Sequence, residues 1–200
     1  MESCSPLLLE SPPQASASAS STKSPLRFPL LRAWLQRCDT HQFCQNHGTV
    51  KANFPTRVLD ISTPDSLRLV SSQDIFDLEG SSRRYIALSH CWGNVAPRET
   101  PRYCTTRQNI NSRETGHDFR VGSLPLTFRD AIEVSQSLGI RYLWIDSLCI
   151  IQGCPEDWAR ESKRMEDVYA GAYCTIAATS AANSEAGFLR HDIDNQHRYV

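Results

Sequence analysis

The chain has 200 residues and a mass of 22.5 kDa, enough for one hydrophobic core with appendages and too little for a long multidomain enzyme. Its 40% hydrophobic and 22% charged residues exclude a wholly disordered chain. Lys plus Arg at 21 against Asp plus Glu at 22 leave a net charge of -1, so no overall field draws the protein to nucleic acid or to an anionic membrane.

No apolar run approaches the roughly 18 to 20 residues that span a bilayer, so no membrane span is expected and the expected location is the cytoplasm. The eight cysteines are scattered through apolar segments rather than framing a small secreted scaffold, and read as reduced thiols. Residues 1 to about 30 are rich in Ser and Pro and offer little to bury against the entropy of ordering, which predicts a disordered tail. The basic, acid-free stretch from Ser11 to Cys38 faintly resembles a transit peptide, and Glu2 and Glu10 argue against that.

Residues 31 to 80 read as a lead-in to the main domain. Leu31, Trp34, Leu35 and Cys38 have helical spacing, Pro55 to Ile61 reads as a short strand, and Leu67 to Val70 as a possible second one. Cys38, His41, Cys44 and His47 bear metal-ligand types at every third position. On an unbroken helix each such step turns by about 300° and climbs about 4.5 Å, so one zinc cannot collect them; Cys38, His41 and Cys44 remain weak candidates.

The main domain is expected over residues 81 to 200. Tyr85 to Ser89 is an apolar run closed by His90-Cys91-Trp92-Gly93, a buried strand feeding a loop. Leu124-Pro125-Leu126-Thr127 introduces a helix with Thr127 as N-cap and Asp130 completing a near capping box, and Gly139 ends it. Ile140 to Ile145 is a second strand, closed by Asp146. Asp157 is read as the cap of a helix reaching about Ala170, and Tyr173 to Ala178 as a third strand. This alternation predicts an α/β fold with an open parallel sheet flanked by helices and the three strands inside it. Three strands alone would make a narrow sheet with an unprotected edge.

In such a sheet the ligand crevice lies outside the carboxyl ends of the strands. Ser89, His90 and Cys91 leave the first strand, Asp146, Ser147 and Cys149 the second, and Thr179 and Ser180 the third. Glu161 falls on the apolar face of its helix with Met165, Val168 and Tyr169, while Arg160, Lys163 and Asp167 point away. A carboxylate facing a core needs either an ion-pair partner, for which Arg129 and Arg141 are the candidates, or a ligand. Cys91 or Cys149 with His90 and Asp146 would supply the thiol, base and orienter of a cysteine hydrolase, but no spacing specifies it. No glycine-rich phosphate loop occurs.

Three long blocks, Tyr85-Ile86-Ala87-Leu88-Ser89-His90-Cys91-Trp92-Gly93, Leu124 to Ile132 and Leu138 to Gln152, closely resemble the fungal heterokaryon incompatibility (HET) domain. Asp157-Trp158 with Glu161, Met165 and Tyr169, then Thr175 to Ala178 and Gly187-Phe188-Leu189, follow in that family's order. Trp34-Leu35, Cys38, His41, Cys44 and Pro55-Thr56-Arg57 resemble its lead-in. The resemblance implies a TIR-like or flavodoxin-like fold and a role in fungal non-self recognition and programmed cell death, acting by protein–protein contact or self-association. It also implies an alternative, because some TIR domains hydrolyse NAD with a glutamate: NAD would then be substrate rather than resident cofactor. Under that reading Glu161 and Asp146 are the candidate catalytic residues, and Ser89, His90, Trp92, Ser147 and Cys149 the candidate ligand-binding residues. The TIR glutamate would align near Leu189 to Asp192, where no glutamate stands. HET proteins usually continue well beyond the Gly-Phe-Leu block, so a truncated, catalytically inactive interaction module is a third expectation.

Overall fold

The structure, a computed structural model, describes residues 27–41, 54–77, 83–94 and 99–189. Helix α1 spans Arg27–Cys38, so it begins inside the stretch expected to be tail; the rest of that expected tail, residues 1–26, lies outside the described residues. Strands β1 (Arg57–Asp60) and β2 (Arg68–Ser71) follow, then α2 (Ser72–Asp77), β3 (Tyr85–Ser89), α3 (Ile110–Thr115), α4 (Leu126–Ser137), β4 (Tyr142–Trp144), α5 (Asp146–Cys149), α6 (Pro155–Glu161), α7 (Met165–Gly171) and β5 (Cys174–Ala177).

The five strands form one sheet in the order β2-β1-β4-β3-β5. The three strands expected from their apolar runs are mutually parallel, with Ile86 opposite Leu143 on one side and opposite Cys174 on the other. Two features depart from expectation. β1 pairs antiparallel with both β4 and β2, so the lead-in strands widen the sheet and cover the edge of β4. β5, expected inside, is an edge strand; Thr175 and Ala177 are accordingly exposed.

Alternation assigns the faces. Tyr85, Ala87, Tyr142 and Trp144 face α7, where the Tyr85 hydroxyl donates to the Val168 carbonyl and Trp144 meets Tyr169 edge-on at 5.4 Å. Ile86, Leu88, Leu143 and Ile145 are wholly buried on the other face with Phe128, Ala131 and Ile132 of α4. Fully burying each such side chain stabilises the fold by about 1.5 to 3 kcal/mol.

The helix ends show where local patterning holds. Gly139 at φ +77 continues a turn in which its N–H reaches the Gln136 carbonyl and the Ile140 N–H reaches that of Ser135, the left-handed exit its sequence predicts. The start of α4 differs. Pro125 is the N-cap, and Thr127 sits inside the helix, its hydroxyl donating to the Asn183 carbonyl and accepting from the Gly187 N–H. Asp130 accepts from the N–H groups of Phe188 and Leu189 at 2.7 and 2.9 Å. Both polar side chains therefore hold the segment after β5 rather than their own helix. The helix expected from Asp157 starts instead at Pro155, with Cys154 as N-cap, and is interrupted by a 3-10 turn over Ser162–Arg164.

Candidate functional site

β3 and β4 are parallel, so the residues after Ser89 and after Trp144 emerge at the same end of the sheet. β1 runs the other way, which places its first residue, Arg57, at that end too. The loop after β3 crosses toward β4: Trp92 Nε1 donates to Asp146 Oδ2 at 2.9 Å, and the Ser147 N–H donates to Asp146 Oδ1 at 2.6 Å. Gly93, at φ +84, passes so close to the segment after β5 that a Cβ there would lie 2.5 Å from the Asn183 Cβ. Only glycine fits that approach.

Burial raises the Asp146 carboxyl above its ordinary range, with the Trp92 hydrogen bond and the His90 charge opposing. Burial also lowers His90, and Asp146 opposes that shift. Each group thus favours its neutral form through loss of water, and each resists its neighbour's neutralisation. The His90 ring meets Phe128 edge-on at 4.9 Å and lies nearly parallel to Trp92 at 6.3 Å. His90 Nε2 and Ser147 Oγ are buried polar atoms with no hydrogen-bond partner. Tyr103 adds a further aromatic wall, edge-on to Phe128 at 5.2 Å, with its hydroxyl 3.2 Å from Ser184 Oγ.

The floor beneath this cluster is held by Thr105 and Arg113. The Thr105 N–H donates to the Ser147 carbonyl, and its hydroxyl donates to that of Leu148. Arg113 Nη1 donates to Thr105 Oγ1 at 2.8 Å and Nη2 to the Tyr103 carbonyl at 2.6 Å, with the guanidinium 4.5 Å from the centre of the Phe119 ring. Neither residue stood out in the sequence: Thr105 serves main-chain groups more than forty residues on, and Arg113 reaches back to Thr105 and Tyr103 within an irregular stretch that carries no periodicity.

Of the other expected residues, Ser89 is exposed and its carbonyl accepts the Ala178 N–H. Cys149 is 2% exposed with Sγ against the Leu143 carbonyl, and burial pushes its thiol up to about 12. It is a protonated core thiol. Cys91 is exposed. Thr179 and Ser180 are exposed at the end of β5. Cys38 closes α1 and His41 lies in the turn after it; Cys44 and His47 lie outside the described residues. Among the described residues no three His, Cys, Asp or Glu side chains come together as a metal site.

Glu161 is buried at 5% exposure, as its helical position predicts. Its partner is neither Arg129 nor Arg141. Arg160 Nε bonds Glu161 Oε1 at 2.9 Å, while Arg141 pairs with Asp60 at 2.7 Å at the opposite end of β4. Arg160 was expected to point away; it curls back from the helix surface because it also contacts Asp157. Asp157 is 3% exposed and joins Arg57, Arg160 and the Ile151 N–H. Arg57 in turn donates through Nε to the Cys149 carbonyl at 2.8 Å. This charged chain ties β1, α5 and α6 together beside the Asp146 cluster. Among the described residues no hydrogen bond or ion pair joins Glu161 to Asp146 or His90.

No curated protein and no solved structure matches the chain. The sequence model described as heterokaryon incompatibility protein (HET) matches residues 85–199. That span runs from the first residue of β3, takes in every contact of the Asp146 cluster and covers more than half of the chain, so the protein belongs to the heterokaryon incompatibility family.

Proposed function

We propose that this protein acts in fungal non-self recognition, inducing programmed cell death through contacts of its HET domain with a partner or with a second copy, in the cytoplasm. One observation carries the reading. The family's sequence blocks, far apart in the chain, meet at one end of the sheet, where Trp92 holds Asp146 beside His90 and Asn183 packs against Gly93 of the loop after β3. A buried carboxylate and a buried imidazole nitrogen without a partner cost stability, and such groups are kept where function requires them. The test is expression in hyphae with a viability dye. Wild-type protein is expected to kill, and Asp146→Ala, at equal abundance and with retained circular dichroism, to lose killing. Equal killing by both would refute the role of this cluster.

A second reading has its own support. A carboxyl group with a raised pKa beside a neutral imidazole, walled by Trp92 and Tyr103, is suited to stabilising charge or transferring a proton when a glycosidic bond breaks, the chemistry of NAD hydrolysis. Under this reading NAD is a substrate, His90, Trp92 and Ser147 line its site, and Asp146 is the catalytic carboxylate. Glu161 is engaged with Arg160, and as a catalytic residue it would have to lose activity as Glu161→Gln without a change in melting temperature. Incubation with NAD followed by chromatography for nicotinamide and ADP-ribose decides: intact NAD after prolonged incubation at micromolar enzyme refutes it.

A further inference from the structure

The turn between β1 and β2 carries a polar hollow of about 330 Å³, a volume within the range of small-ligand sites. Its lining includes Asp60, Ser62, Thr63, Ser66, Arg68 and Arg141. Asp60 ends β1, Arg68 opens β2 and Arg141 precedes β4, so the hollow lies at the end of the sheet opposite the Asp146 cluster. Gly116 shapes one wall. It ends α3 at φ +75, and a Cβ there would lie 3.3 Å from the Leu67 carbonyl oxygen and 3.8 Å from the Arg68 Cβ, so glycine lets the helix end rest against the Arg68 stem. The carbonyls of Ser112 and Arg113 in that last turn are closed by the N–H groups of His117 and Gly116.

The charges in the hollow are unevenly engaged. Arg141 forks onto Asp60, Nε to Oδ1 at 3.1 Å and Nη2 to Oδ2 at 2.7 Å, and the Ser62 N–H adds a bond to Oδ1 at 3.1 Å. Burial works against the Asp60 charge, but these bonds outweigh it and hold the carboxyl below its ordinary range. Asp60 and Arg141 thus neutralise each other. Arg68 is different: it is exposed, and among the described residues neither its guanidinium nor the hydroxyls of Ser62, Thr63 and Ser66 have a hydrogen-bond or ion-pair partner. Asp65, in the same turn, is exposed and does not line the hollow. What is on offer is one uncompensated positive charge with hydroxyl donors around it, while both oxygens of the only carboxylate in the lining are taken. A metal cation would find a guanidinium and an occupied carboxylate; an acceptor-only anion finds its complement, and a guanidinium matches phosphate oxygens in geometry as well as charge. Ser62 and Arg141 also line a neighbouring, more apolar hollow of about 400 Å³ with Ile61, Pro64 and Ile140. We propose that this end of the sheet binds a small organic phosphate monoester, its phosphate held by Arg68 and the Ser62, Thr63 and Ser66 hydroxyls, and its organic group lying across Ser62 in the apolar hollow.

The test dialyses the full chain to equilibrium against radiolabelled inorganic phosphate at constant ionic strength, with phenyl phosphate as competitor. One saturable site per chain is expected, and displacement of the label by phenyl phosphate at lower concentration than by unlabelled phosphate. Arg68→Gln breaks no bond within the fold and is expected to weaken binding about tenfold or more at an unchanged urea midpoint. Ser66→Ala, which deletes one neutral donor, is expected to weaken it about threefold. Arg129→Gln removes an exposed arginine that lines neither hollow and is expected to change nothing. Absence of saturable binding overturns the proposal. Equal binding by wild type and Arg68→Gln does so too, and so does an equal loss in Arg68→Gln and Arg129→Gln, which would make the effect one of net charge. Phenyl phosphate that competes no better than inorganic phosphate overturns the monoester assignment. None of these readouts involves killing or NAD, so the site at this end of the sheet stands or falls apart from the Asp146 cluster.

Discussion

Replacing Asp157 by Asn separates the structural carboxylates at the sheet end from the rest. The Arg57 and Asp157 side chains are 10% and 4% exposed, so the pair lies out of water, and removing one member strands the other at a cost of about 3 to 5 kcal/mol. Asn keeps the shape, and with its oxygen in the place of Asp157 Oδ2 it still accepts from Arg57 and the Ile151 N–H, losing the Arg160 contact, which places the expected loss at the lower end, about 3 kcal/mol. Glu161→Gln is the control. Its partner Arg160 is 52% exposed and keeps its Asp157 contact, and the Gln carbonyl still accepts, so the loss should stay within about 1 kcal/mol. In urea, with a slope of about 2 kcal/mol/M, these losses become midpoint shifts of about 1.5 M and under about 0.5 M. Pairing Arg57→Met with Asp157→Leu should recover only part of the larger shift, because it removes both buried charges together but leaves the Cys149 carbonyl and the Ile151 N–H without those partners. Equal shifts for Asp157→Asn and Glu161→Gln would refute the assignment of Asp157 as the buried end of the network.

Three further outcomes follow from the geometry. Because burial lowers His90 in the native state, the unfolded chain takes up more protons below pH 6.5 and stability drains away as pH falls through that window; Asp146, whose carboxyl is raised by burial, contributes with the opposite sign. His90→Phe keeps the edge contact with Phe128 and should flatten the decline in urea midpoint between pH 7 and 5, so parallel declines would refute the role of His90. Gly187→Ala, at φ +70 with the new Cβ 2.6 Å from Leu126 and 2.9 Å from Asp130, should cost more than about 2 kcal/mol, whereas Gly139→Ala, at φ +77 with nothing within 4 Å, should cost about 1. Asp130→Ala removes the carboxylate that the Phe188 and Leu189 N–H groups donate to, and should lower stability by about 1 to 3 kcal/mol in the same titration.

The sequence was most readable where a single segment carries its own signal. The apolar runs at Tyr85 to Ser89, Ile140 to Ile145 and Tyr173 to Ala178 hold the three parallel strands, and Gly139 ends α4 because the left-handed turn is local to it. Reading failed where a polar side chain serves a distant partner. Thr127 and Asp130 stand at capping-box spacing, yet the backbone they satisfy is that of residues 183–189; spacing reports opportunity, and tertiary structure chooses the donor. Helical phase put Glu161 correctly on the buried side, but phase cannot see a long guanidinium folding back from the surface, so Arg160 was missed. Arg57 and Asp157 belong to segments with nothing in their patterning to couple them, and the antiparallel placement of β1 that brings them together depends on pairing with β4 across most of the domain.

The strand order bears on how the chain acquires this structure. β1 and β2 are near in sequence and can join early as a hairpin, but β3, whose Tyr85, Ile86, Ala87 and Leu88 are all wholly buried, has both of its neighbours still to come: Ile86 waits first for Leu143 and then for Cys174. Closing such long loops before any pairing is gained makes folding slow. A chain emerging from the ribosome therefore carries this buried strand unpaired until β4 has been made and open along one side until β5 follows, and this interval, rather than the finished fold, is where the protein is most exposed to aggregation and most dependent on chaperones.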